Sequence, residues 1–134
     1  MNAKAALRAA TLGRQKSFVR KLVKITAPDG TELEVEVRAP SVRSRGLIIR
    51  RAKAMGGDVD KLEPEHFQVE AVLQLCFVPG TDEHIFEEAD REELLAQPAG
   101  GFVDKLAEVA LPLLNVAEAE KKELEKNSEG TPSA

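Results

Sequence analysis

Two alternating runs of apolar and charged residues, separated by a turn signal, restrict most strongly what this chain can fold into. The apolar residues of the two runs occupy every second position: Val23, Ile25, Leu33, Val35 and Val37. Between the runs, Pro28 presets the backbone for a turn and Gly30 accepts a left-handed conformation. The pattern predicts a β-hairpin. Because a lone hairpin is marginal in water, we expect its aliphatic face to pack on helices.

Helical signals follow the hairpin. Ser41 can cap a helix that ends at Gly56, and Pro64 can begin a second, nearly all-apolar helix that Pro79 ends. Pro112 should kink or shorten the last helix. The predicted helices span residues 41–55, 64–78, 88–96 and 99–115. The predicted fold is therefore α+β and mainly α, with an N-terminal β-hairpin packed on a bundle of about four helices.

The 134 residues suffice for one domain and are too few for two ordinary ones. Residues 1–17 are rich in alanine and basic, which predicts a flexible basic arm, either a frayed helix or disordered. Residues 18–117 are predicted to form a single helical domain that contains the hairpin. Residues 118–134 are predicted to be a charged tail, helical at first and then disordered.

Charge is divided unevenly along the chain. Residues 1–53 carry 13 Lys/Arg and 4 Asp/Glu, whereas residues 54–134 carry 6 Lys/Arg and 19 Asp/Glu. A chain with a basic and an acidic half can associate head to tail, or its basic end can meet an acidic partner. We expect a weak, salt-sensitive homo-oligomer. The alternative is that two solvated faces simply differ in sign.

Neither a catalytic, a cofactor-binding nor a metal site is predicted, so we do not expect an enzyme. Asp82, Glu83 and His84 are adjacent in the chain and cannot easily converge on one tetrahedral ion. Motifs for nucleophilic catalysis or phosphate binding are lacking. Cys76, the single cysteine, lies in an apolar run, which predicts a buried side chain in a reducing compartment. A secretory signal and an apolar stretch of about 20 residues are also lacking, which predicts a soluble intracellular protein with no membrane partner.

The basic helix over residues 41–55 is the predicted contact surface for a partner. The candidate partner-binding residues are Arg43, Arg45, Ile48, Arg50, Arg51 and Ala52. Four arginines on one helix could also neutralise phosphates, so a small nucleic-acid-binding regulator is the alternative. Helix-turn-helix spacing and an aromatic platform are absent from the sequence, and the rest of the chain is acidic. These features favour a protein partner.

Several segments are more informative by their order and spacing than individually. They are Pro28–Ser41, Leu73–Val78, Ile85–Phe86, Glu88–Asp90, Leu94–Leu95, Phe102–Asn115 and Glu125–Asn127. Over roughly residues 24–127, this order resembles the tail assembly chaperones of long-tailed bacteriophages and related prophages. The Ala-rich basic arm and Pro112 depart from the expected pattern.

The resemblance implies a non-enzymatic, mainly helical protein of the host cytoplasm. Such chaperones coat the long tape-measure protein and keep it soluble before the tail tube polymerises around it. The tape-measure protein is thus the implied partner, and the tail tube protein is a second candidate. Family members are often also made in a longer form by a backward ribosomal frameshift. Lys126 and Asn127 can be encoded by codons on which ribosomes slip, although an ordinary polar helix end explains them equally well.

Overall fold

The computed structural model of the protein describes residues 2–12, 18–57 and 61–114. Its elements in chain order are α1 (Ala3–Thr11), β1 (Arg20–Thr26), β2 (Glu32–Arg38), α2 (Val42–Met55), α3 (Pro64–Leu75), β3 (Cys76–Phe77), a 3-10 turn (Glu88–Asp90), α4 (Arg91–Leu95) and α5 (Phe102–Leu114). The strands form one antiparallel sheet in the order β1-β2-β3. The predicted α+β, mainly α fold with an N-terminal hairpin is confirmed.

The hairpin forms where the alternating pattern predicts it. Val23 pairs with Val35, and the register closes at Thr26 and Glu32. In the loop, the Ala27 N–H donates a hydrogen bond to the Thr31 carbonyl at 2.8 Å. Gly30 has a φ of 87°, a left-handed conformation that side chains resist. Both the turn residues and the pairing of the strands are therefore those that the sequence pattern predicts.

The end of α3 differs from the prediction. The helix stops at Leu75, and Cys76–Phe77 form strand β3 beside β2. The predicted helix was therefore wrong over its last three residues. Pro79 disfavours a helical conformation at Val78, and the free edge of β2 offers hydrogen bonds to an extended chain.

Two later helices are shorter than predicted. The segment expected to be helical over 88–96 is a 3-10 turn followed by α4. Helix α5 begins at Phe102, three residues late, because Pro98 and Gly101 form a turn in which Gly100 has a φ of 83°. The helix then runs through Pro112 to Leu114, the last described residue.

The core is aliphatic and centres on α3. Helices α2, α4 and α5 all pack on α3, and α5 also packs on both strands of the hairpin. Ile48, Leu62, Phe67, Leu106 and Leu114 are each at most 1% exposed. Burial of such a side chain contributes about 1.5–3 kcal/mol, so this cluster holds the hairpin and the helices together.

The basic arm contains a helix. Asn2 caps α1, because its Oδ1 accepts a hydrogen bond from the Ala5 N–H at 2.7 Å. Every described residue from Asn2 to Leu12 is exposed. The flexibility of the arm remains a prediction, and the predicted tail over 118–134 lies outside the described residues.

Candidate partner-binding surfaces

Helix α2 carries all six residues predicted to contact a partner. Ser41 caps it, because its Oγ accepts a hydrogen bond from the Ser44 N–H at 3.1 Å. Ile48 and Ala52, spaced i and i+4, face α3 and are 0% exposed. Their side chains are core residues and are not available to a partner, which corrects that part of the predicted set.

The opposite face of α2 is a row of exposed residues that we call the outer stripe: Arg43, Leu47, Arg50 and Ala54. Their i, i+4, i+7, i+11 spacing places them on one helix face. Leu47 is 38% exposed and lies between two arginines along this face. Arg45 is partly buried and lies off the stripe. Sequence reasoning identified the helix but did not include Leu47.

Arg51 belongs to an ionic cluster, the Glu70 cluster, formed by Arg51, Glu70, Glu88 and Arg91, of which Glu70 and Arg91 are buried. Glu70 is 0% exposed and accepts a hydrogen bond from Nη2 of Arg91. Arg91 also donates from Nε and Nη2 to the two carboxylate oxygens of Glu88, at 2.7 and 2.8 Å. Nη1 of Arg51 lies 4.0 Å from Glu70 and 3.8 Å from Glu88. The cluster therefore connects α2, α3 and α4.

The cluster is stabilised by charge pairing. A buried carboxylate is costly unless it is paired and hydrogen-bonded. Hydrogen bonds from Arg91 lower the pKa of Glu88, and the bonds to Glu88 and Glu70 raise the pKa of Arg91 despite its burial. Sequence reasoning missed this feature. The available signal was Glu70 itself, a carboxylate among the apolar residues of α3.

A second ionic group fastens the hairpin to the loop after β3. Arg38 donates from Nε to Glu36 at 2.6 Å and from Nη1 to Asp82 at 2.8 Å. It also donates to the Thr81 carbonyl, and its guanidinium lies 4.1 Å from the centre of the Phe77 ring. The hydrogen bond from Arg38 lowers the pKa of Glu36. Asp82 is thus part of an ion pair.

An apolar groove opens at the tip of the hairpin, and we call it the tip groove. It has a volume of about 310 Å³ and is bordered by residues from four segments: Ile25, Leu33, Val35, Val78, Phe86 and Phe102. Leu33 is 48% exposed and Val78 is 38% exposed. The rings of Phe86 and Phe102 stack with centroids 6.3 Å apart and line part of the groove. Concave apolar surface of this kind is typical of docking sites.

Side chains that could take part in catalysis or bind a metal lie outside the outer stripe and the tip groove. Burial raises the pKa of the Cys76 thiol to about 12, so it is protonated and weakly nucleophilic near neutral pH. Nε2 of His84 lies 3.1 Å from the Gln74 carbonyl. Glu63, Glu65 and His66 each place one ligand atom within 4.8 Å of the others, a spacing that could accept a divalent cation. Exposed acidic groups adopt this spacing without a metal, and we assign none.

The helices of the described segments are too short or too polar to cross a bilayer. Comparison with protein-family models and with curated proteins gives no match.

The fold resembles that of a phage tail assembly chaperone. The solved structure of the bacteriophage HK97 tail assembly chaperone is similar to this chain with a TM-score of 0.51 and 17% sequence identity. The similarity covers 86% of this chain and 99% of that chain. At this identity the likeness shows a shared fold, and it agrees with the resemblance indicated by the order of the sequence segments.

Proposed function

We propose that this protein is a non-enzymatic phage tail assembly chaperone that binds the tape-measure protein and keeps it soluble in the host cytoplasm while the tail tube assembles. The observation that supports the proposal best is the fold shared with the HK97 tail assembly chaperone over nearly the whole of that protein. The tail tube protein is a second candidate partner.

The outer stripe of α2 is the surface we propose for the tape-measure protein. Leu47 offers apolar contact, and Arg43 and Arg50 on either side offer cations. This arrangement suits a partner helix whose apolar stripe is bordered by carboxylates. Many weakly bound copies along one long partner achieve coverage through avidity and can still be released. Arg51 lies at the flank of this surface and is also paired to the Glu70 cluster, whereas the i, i+3, i+7 spacing of Arg45, Ile48 and Ala52 places Arg45 on the face that packs on α3.

Co-expression with the tape-measure protein tests the proposal. The wild-type chain should copurify with that protein and keep it in the soluble fraction. Leu47→Asp and Arg50→Glu should each reduce both effects several-fold. Lys105→Glu is the matched control, because Lys105 is an exposed cation on α5. A tape-measure protein equally soluble with and without the wild-type chain would refute the proposal.

The longer frameshifted form rests on the family resemblance alone. Lys126 and Asn127 lie outside the described residues. The gene sequence decides this part: slippery codons at these two positions and an overlapping downstream reading frame are both required. Other codons there would remove the frameshift and leave the chaperone function standing.

The nucleic-acid alternative finds less support in the structure. Of the four arginines in α2, Arg43 and Arg50 lie on the outer stripe, whereas Arg51 is paired to acidic groups and Arg45 is partly buried. Two phosphate contacts would give a salt dependence of slope about −2 on logarithmic axes, which is typical of weak binding. Strong DNA retardation lost in the Arg50→Glu variant would favour this alternative.

A further inference from the structure

Helix α1 has an apolar face that is exposed in the described part of the chain. Ala3, Leu7 and Ala10 share one face by their i, i+4, i+7 spacing, and Leu7 is 65% exposed. Lys4 and Arg8 lie on another face. Helices of nine residues are marginal in water unless packing supports them. Docking of the Leu7 face on an apolar surface would supply that support.

The tip groove is the complementary surface. It is apolar, open to solvent and close in size to what two or three small side chains fill. Its surroundings are acidic: Glu34 borders it, and Glu83 and Glu87 are exposed on the loop that forms one wall. Residues 79–93 contain seven Asp/Glu and one Arg, whereas residues 1–17 contain four Lys/Arg and no acid. The basic N-terminal segment is therefore complementary in charge to the acidic surroundings of the groove, and the apolar face of α1 is complementary to its apolar lining.

We infer that α1 of one copy docks in the tip groove of a second copy, with Leu7 against Leu33 and Val78. A second copy is favoured over the same chain because every described residue of α1 is exposed, so α1 does not occupy the groove of its own chain. In addition, β1 begins at Arg20, the end of the strand that is remote from the groove. The groove begins at Ile25, about 17 Å along the strand from Arg20. A fully extended chain from Leu12 to Arg20 would span eight residue steps, or about 26 Å. If α1 docked in the groove of its own chain, most of that length would be needed to return along β1.

The contact joins α1 of one copy to the tip groove of another, so every pair of copies still has one free α1 and one free groove. Such a heterologous contact extends head to tail unless the rotation closes a ring. This inference goes beyond the proposed function, because it concerns contacts between copies of this chain and requires no tape-measure protein. It also gives the uneven charge of the two halves a physical role.

Self-association of the full chain tests the inference. In sedimentation equilibrium at low ionic strength, the average mass of the wild type should rise with concentration. Leu7→Asp and Leu33→Asp should each raise the dissociation constant at least about tenfold. Val42→Asp is the matched control, because Val42 is an apolar residue 79% exposed at the start of α2. It should associate like the wild type.

Mixing the variants gives the sharper result. Leu7→Asp retains an intact groove and Leu33→Asp retains an intact α1, so an equimolar mixture should form a pair of chains and grow no further. Val78→Asp repeats the test from another wall of the groove, and circular dichroism verifies that each variant is folded.

A wild type that is monomeric at all concentrations, variants that associate like the wild type, or a mixture that stays monomeric would each overturn the inference. Solubilisation of the tape-measure protein is measured separately, so failure of one proposal is distinguishable from failure of the other.

Discussion

Replacement of Arg91 by methionine should destabilise the protein strongly, because it would leave Glu70 buried without its main partner. Glu70 is 0% exposed, and among the described residues its other polar contacts are with Nε2 of Gln74 at 3.3 Å and Nη1 of Arg51 at 4.0 Å. Breaking a buried ion pair typically costs about 3–5 kcal/mol. Because Arg51 compensates in part, we expect a loss of about 3 kcal/mol.

Urea unfolding followed by far-UV circular dichroism measures this loss, since the chain has neither Trp nor Tyr for intrinsic fluorescence. With a slope of about 2 kcal/mol/M, the midpoint should fall by roughly 1.5 M. Arg43→Met is the matched control, because Arg43 is exposed on α2. Its midpoint should change little.

The double replacement of Glu70 by leucine and Arg91 by methionine separates the cost of an unpaired charge from loss of packing. Removing both charges should restore most of the stability, because an apolar pair of similar volume is often as stable as a buried ion pair. The reasoning is refuted if Arg91→Met is no less stable than Arg43→Met, or if the double variant is as unstable as Arg91→Met alone.

Three further predictions follow from individual side chains. Arg38 lowers the pKa of Glu36 in the folded state, so the stability that this group contributes is present above the unfolded pKa of about 4.3 and is lost as the pH falls through the folded pKa. The urea midpoint of Glu36→Gln should therefore fall less steeply on acidification than that of the wild type. An equally steep fall would contradict this prediction. Pro112→Ala should raise the melting temperature in calorimetry, because it restores an N–H that can bond to the Glu108 carbonyl within α5; a lower melting temperature would argue against it. With a pKa of about 12, Cys76 should react with a thiol reagent at pH 8 only as urea opens the core, whereas rapid labelling of the native protein would be inconsistent with its burial.

The parts of the fold that could be predicted are those fixed by local chemistry. The hairpin depends on Pro28, Gly30 and the alternation beside them, all within about 15 residues. Helix α2 begins at its Ser41 cap and ends at Gly56, as predicted. Strand β3 was missed because a short apolar run has the same pattern at the end of a helix as in a strand. The edge of β2, about 40 residues earlier in the chain, decides between them.

The candidate surfaces were only partly predictable, because sequence spacing gives a helix two faces without saying which one packs on α3. Ile48 and Ala52 were recognised as an apolar stripe but were assigned to a partner, whereas Leu47 on the outer stripe was missed. The Glu70 cluster joins residues 21 positions apart. The tip groove brings together residues from Ile25 to Phe102, which no local pattern relates.

Strand β1 is one of the two edge strands of the sheet, and in the described part of the chain no other strand pairs with its free side. Open edges of this kind can recruit a neighbour's backbone and start amyloid-like stacking. Three of the seven residues of β1 are cationic: Arg20, Lys21 and Lys24. Two such edges brought side by side would repel each other. The cationic edge of β1 thus discourages irreversible aggregation of this chain through its free strand edge.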